Sequence, residues 1–104
     1  MLKGQARKDF EKWGNKEYYQ TVRHYHDIDF IQWFDSLPKS CQYGVYIDWF
    51  DSVGIYIEIQ IDHFEVGATY FLINNKYQSP IFFTRNDTRQ KAIEQANKIY
   101  NDRK

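Results

Sequence analysis

Cysteine is almost missing from this chain. Cys41 stands alone, so no intramolecular disulfide can form, which suits a reducing cytosol. Proline occurs twice, at Pro38 and Pro80, and no Pro- or Gly-rich stretch divides the chain into parts. No apolar run approaches the length of a membrane span, so a membrane partner is not expected. The opening residues Met1-Leu2-Lys3-Gly4-Gln5 lack the apolar segment of a signal peptide, and a cytoplasmic protein is the expectation. Glycine-rich phosphate loops, serine nucleophile elbows and Cys–His signatures are missing too, which argues against an enzyme and against a bound cofactor. Net charge is also absent, with 14 basic and 14 acidic residues.

Aromatic residues, by contrast, are abundant. They make up 19% of 104 residues, and a chain of this length has room for one core and one domain, 1–104. Rings bury much area each, and a surplus of them points to a contact surface as well as a core. The charge that cancels overall is unevenly spread: +3 over residues 1–23, −7 over 24–65 and +4 over 66–104. Two readings follow. Either basic flanks attract an acidic centre within the molecule, or a one-sign patch recruits a partner of opposite charge.

The centre of the chain is the run Ile55-Tyr56-Ile57-Glu58-Ile59-Gln60-Ile61-Asp62. Strict alternation predicts a strand with one oily face. A strand before it would place Val45, Ile47 and Trp49 on one face and Tyr46, Asp48 and Phe50 on the other. Asp51-Ser52-Val53-Gly54 would be the turn between them. A third strand over 64–72 would direct Phe64, Val66, Ala68, Tyr70 and Leu72 to one side. Asn74-Asn75 reads as a turn, and 77–83 as a short edge strand limited by Pro80.

Helices flank this sheet. Ala6, Phe10 and Trp13 mark the first, with Gly14-Asn15 as its stop. Residues 17–25 read as irregular or as a short strand. Asp27 reads as the cap of a second helix carrying Ile28, Ile31 and Phe34, with Asp29 in its first turn and Pro38 beyond its end. Thr84 caps the last helix, whose stripe is Ala92, Ile93, Ala96, Ile99 and Tyr100, with Asn101 as the stop. The predicted fold is α+β: N-terminal helices, an antiparallel sheet of three to four strands, and a C-terminal helix packed on it, in the order α-α-β-β-β-α.

Three groups of residues carry candidate chemistry. Tyr46, Asp48, Phe50, Tyr56, Glu58 and Asp62 would form an acidic, aromatic sheet face suited to a basic protein surface. Arg85, Arg89 and Lys91, near the start of the last helix, form the alternative, a nucleic-acid contact. The element order there is that of double-stranded-RNA-binding domains, although the Gly-Pro-x-His loop of that family is missing. His24 and His26, with Asp27 and Asp29, are weak metal candidates. Ile28 occupies the position where metallo-hydrolases carry an aspartate, and no second histidine cluster follows, so no metal is expected.

Two stretches carry a resemblance. One is Trp33-Phe34-Asp35-Ser36-Leu37-Pro38 leading into Gly44-Val45-Tyr46-Ile47-Asp48-Trp49-Phe50-Asp51-Ser52. The other is Phe82-Phe83-Thr84-Arg85 with Ala92-Ile93 and Ala96-Asn97-Lys98-Ile99-Tyr100-Asn101. Together they resemble small uncharacterised bacteriophage and prophage accessory proteins. The resemblance implies a bacterial cytoplasm and action by stoichiometric binding to a protein, with anti-CRISPR-type inhibitors of host defence as one such group. A structural or homodimeric role through exposed rings is a further reading.

Overall fold

The computed structural model describes residues 2–19 and 28–103. Among them are α1 (Gly4–Glu17), α2 (Phe30–Asp35), α3 (Lys39–Ser52), β1 (Ile57–Ile61), β2 (Thr69–Ile73), β3 (Tyr77–Gln78) and α4 (Arg85–Asp102). The strands form one antiparallel sheet in the order β1-β2-β3, and α4 packs on it. The α+β class, the helices-first order and the closing C-terminal helix are as predicted.

The stretch expected to be the first strand is instead α3. Its buried residues are Val45, Tyr46, Trp49 and Phe50, a spacing that fits 3.6 residues per turn. Val45, Ile47 and Trp49 also alternate, and aromatic and β-branched residues favour strands only when a sheet is there to receive them. Local punctuation, together with rings from α1 and α2 that pack on Tyr46 and Trp49, favours the helix. Pro38 stands at its N-terminal boundary, so this proline opens a helix as well as following one. At the other end Gly54, with φ of +78°, lets the Ile55 N–H reach the Phe50 carbonyl at 2.9 Å and its own N–H reach that of Asp51 at 3.2 Å. This is a Schellman stop, and its usual apolar contact is available, since Phe50 and Ile55 are both fully buried.

The sheet is covered on one side. Ile57 pairs with Ile73 and Ile59 with Phe71, and all four belong to or pack against the core beneath α4. Glu58, opposite Leu72, and Gln60, opposite Tyr70, lie on the other face. The predicted third strand is shorter than expected, and it is the alternate set of its residues that is buried. It begins at Thr69, and Thr69, Phe71 and Ile73 are buried while Tyr70 and Leu72 are half-buried. A buried bond between the Thr69 and Thr88 hydroxyls, 2.5 Å long, ties this face to α4 and explains why a threonine takes an inward position. Asn74 and Asn75 both adopt positive φ in the three-residue loop, 74–76, that joins Ile73 to its partner Tyr77 of β3. The predicted edge strand is reduced to β3 and a single bridge between Phe82 and Thr69.

The helical layer is a cluster of rings. Phe10 of α1 lies 5.3 Å from Phe30, 5.2 Å from Phe34, 5.0 Å from Tyr46 and 5.6 Å from Trp49, between centroids. Gly14 is not the stop of α1 but a notch inside it. A Cβ placed there would meet the Phe30 ring at 2.2 Å. The capping of α2 also differs from expectation. Asp27 lies outside the described residues, and Asp29 closes a capping box with Gln32. Cys41 is exposed on α3.

The first turn of α1 is completed from the far end of the chain. Lys3, at its N-cap position, offers no side-chain bond. The Asn101 Oδ1 accepts from the Ala6 N–H at 2.8 Å, and the Asn101 Nδ2 donates to the Lys3 carbonyl at 2.9 Å. The Asn97 Oδ1 accepts from the Lys3 N–H at 2.9 Å, and the Tyr100 hydroxyl donates to Asp9. Asn101 was predicted to stop α4, yet the helix runs one residue past it and its amide serves α1.

Candidate binding surface

The six residues predicted to share a sheet face do not share one. Tyr46 and Phe50 are buried in the ring cluster of α3, so neither is a contact residue of a sheet. Asp48 is exposed on the same helix, where it accepts a long 3.4 Å bond from the Tyr18 hydroxyl. Asp51, one turn on, is held above the ordinary carboxylate value by burial and by the charge of Asp48. Tyr56 and Glu58 do lie exposed at β1, with Tyr56 about half open to solvent. Asp62 spends its carboxylate locally. Its Oδ1 accepts from the Phe64 N–H at 2.7 Å and the Glu65 N–H at 3.3 Å.

That use of Asp62 shapes a surface that alternation alone did not reveal. Residues 62–68 connect β1 to β2 as an ordered loop. Asp62 organises its first turn, the Asp62 N–H donates to the Ala68 carbonyl at 3.0 Å, and the Ala68 N–H donates to the Glu65 carbonyl at 3.1 Å. Gly67, with φ of +79°, supplies the left-handed residue needed to close it. Held this way, Phe64 and Val66 are 98% and 101% exposed. Ile61, at the adjacent end of β1, and Phe83, next to the Phe82 bridge to Thr69, are also exposed. Four large apolar side chains therefore stand at one end of the sheet. Single exposed hydrophobes are ordinary, but several at one end make an apolar patch. A signal for this was present in the sequence: Asp62 two residues before Phe64, and Gly67 just after Val66, bracket a loop where a strand was read.

The basic trio is also divided. Arg85 is exposed, and Arg89 lies with its guanidinium carbon 5.2 Å from the centroid of the Tyr43 ring. Lys91 pairs with Glu94 at 3.3 Å, in a cleft it shares with Phe71 and Tyr77. Arg89 and Lys91 thus face different neighbours, which leaves no continuous phosphate track among the three. The ion pairs seen among the described residues, Arg7–Glu11 and Lys91–Glu94, each lie within one helix. Direct pairing between the basic flanks and the acidic centre is not observed among those residues.

His24 and His26 lie outside the described residues. Among the described residues no group of three or more His, Cys, Asp or Glu is placed to hold a metal ion. No helix among them is long and apolar enough to cross a membrane. Against known proteins, the chain matches no family model, no curated protein and no solved structure.

Proposed function

We propose that this protein acts by stoichiometric binding to a protein partner, and that the apolar end of the sheet is its contact surface. The observation that carries the reading is the pair Phe64 and Val66, almost wholly in solvent on a loop fixed by Asp62 and Gly67. A loop held in one conformation loses little freedom on binding, so its apolar area is available to drive association. Aromatic side chains of this kind are frequent anchors at interfaces, surrounded by a polar rim. Glu65 on the loop, with Glu58 further along β1, supplies acidic character beside it and would favour a partner with basic residues around an apolar recess. The setting we propose, in keeping with the resemblance to small phage proteins, is inhibition of a host-defence complex.

The test compares the parent chain with a Phe64→Ser, Val66→Ser variant as baits in bacterial lysate. A partner captured in one-to-one amount by the parent and lost by the folded variant supports the reading. Equal capture by both would remove the loop as the contact. A light-scattering mass showing a dimer that the variant abolishes would make a second copy of the chain the partner and overturn the host-protein reading.

A further inference from the structure

A second surface lies away from the apolar loop, between the first two turns of α3 and the first two turns of α4. The cleft there has a volume of about 260 Å³. Lys39 and Gln42 line it from α3, and Asn86 and Arg89 from α4, with the rings of Tyr43 and Tyr46 between them. The lining carries two cations and no carboxylate. Each of these side chains has a polar end suited to an anion, and Ile93 adds an apolar wall. Lys39 and Arg89 donate as charges, Gln42 and Asn86 as amides, and tyrosine as a hydroxyl.

Several features suggest that this cleft takes a ligand. Arg89 makes no ion pair among the described residues and is held over the Tyr43 ring, so its guanidinium is positioned but not neutralised. Tyr46 is 93% buried by its 7% exposure, yet its hydroxyl makes no hydrogen bond among the described residues. No buried side-chain polar atom there lacks a partner, so that hydroxyl is open to solvent at the cleft wall. Tyr46, Lys39 and Gln42 also line an adjoining cleft of about 250 Å³ that reaches Arg7 and Asp35. The Tyr46 hydroxyl feels both of those charges, which places it toward that adjoining lobe. Burial pushes the Tyr43 phenol up to about 12 against the opposing charge of Arg89, so it stays a neutral donor at ordinary pH.

We propose that this cleft binds a small phosphate monoester, with Lys39 and Arg89 on the phosphate and Tyr43 and Ile93 against its apolar body. Two uncompensated cations match a group carrying close to two negative charges better than a carboxylate carrying one. A volume of about 260 Å³ far exceeds the ~10–15 Å³ that one water needs on the same measure, and leaves room for more than a bare phosphate. The α3 N-terminus, with no acidic residue in its first turn and no side-chain cap, adds positive potential at Lys39. This inference does not depend on the apolar loop.

The experiment follows amide shifts of the full chain titrated with phenyl phosphate, inorganic phosphate and benzoate. The expected result is a saturable response confined to the cleft-lining turns. Phenyl phosphate should bind about tenfold more tightly than either other anion. Arg89→Gln should weaken it by about tenfold or more, as loss of a charge-assisted bond does, while Arg85→Gln, outside the lining, leaves it unchanged. Tyr46→Phe, whose lost hydroxyl faces the adjoining lobe, should leave it nearly unchanged. Equal losses in the Arg85 and Arg89 variants, or shifts spread over all basic residues, would reduce the effect to general charge and overturn the site. Benzoate binding as tightly as phenyl phosphate would overturn the assignment to a dianion. Tighter binding of a 5′-phosphorylated trinucleotide, with shifts reaching Arg85, would replace the small ligand with a nucleic-acid end.

Discussion

Ile55 and Ile61 belong to the same alternating run and meet opposite fates. Ile55 is fully buried behind the Phe50 stop of α3, whereas Ile61 is 61% exposed. Between them Ile57 and Ile59 pack against the core, so cover thins along one short ribbon. The cause is the reach of α4. Its first buried side chain, Thr88, meets Thr69 on the central strand, while Ile61 sits across from Thr69 on the outer strand. Residue type is the same at both ends, and only the covering layer differs. The buried end is what a fold requires, and the open end is what a partner can use.

The largest expected contrast is direct. Ile55→Ala should cost about 2–5 kcal/mol by chemical denaturation, as removal of a buried aliphatic side chain does. Ile61→Ala should stay within about 0.5 kcal/mol, because exposed side chains leave little behind. Equal costs would mean that Ile61 is covered in solution, for example by a second chain, and the comparison would break.

Gly14→Ala should cost about 1–3 kcal/mol despite alanine's better helix propensity, since the Phe30 ring it would strike is itself locked against Phe10. Thermal melting checks this, and a Gly14→Ala variant as stable as the parent would show that α1 and α2 are less tightly seated than described. Asn101→Ala should cost about 1 kcal/mol, within the range for a lost helix cap, and should raise amide exchange at Ala6 selectively.

The smallest effect concerns alkaline pH. Burial lifts the Tyr43 phenol to about 12, and burial with the bond to Asp9 lifts Tyr100 to about 12. The folded chain therefore holds these protons more firmly than the unfolded one, whose phenols titrate near ~10. The stabilisation is complete below about pH 10 and is lost as pH rises toward about 12. Tyr43→Phe should flatten that decline in a denaturant series across the alkaline range, while leaving neutral-pH stability nearly unchanged.

How far the sequence could be read follows the range of the interactions that decide each element. α4 was legible because its cap, Thr84, and its stripe of Ala92, Ile93, Ala96 and Tyr100 lie within a few turns of one another. The isoleucine ribbon and the Asn74-Asn75 turn were legible for the same reason. α3 was not, because Val45 to Phe50 satisfies both periods, and the choice was made by Gly54 and by rings brought in from α1 and α2. The predicted binding face failed with it, since Tyr46, Asp48 and Phe50 had been placed on a strand. Of that face Tyr56 and Glu58 stay exposed, and Asp62 turns out to shape the neighbouring loop. The service that Asn97 and Asn101 render to α1 had no local signature at all.

That last arrangement bears on how the chain acquires its shape. Three amide contacts link positions separated by 94, 95 and 98 residues, among the most distant closures this topology contains. Closing so large a loop is entropically slow compared with forming a local turn. During synthesis the leading amides of α1 therefore stay hydrated until α4 is available to receive them. Completion of the two is coupled, and a chaperone or protease meeting the chain before α4 emerges would find the first turn of α1 uncapped.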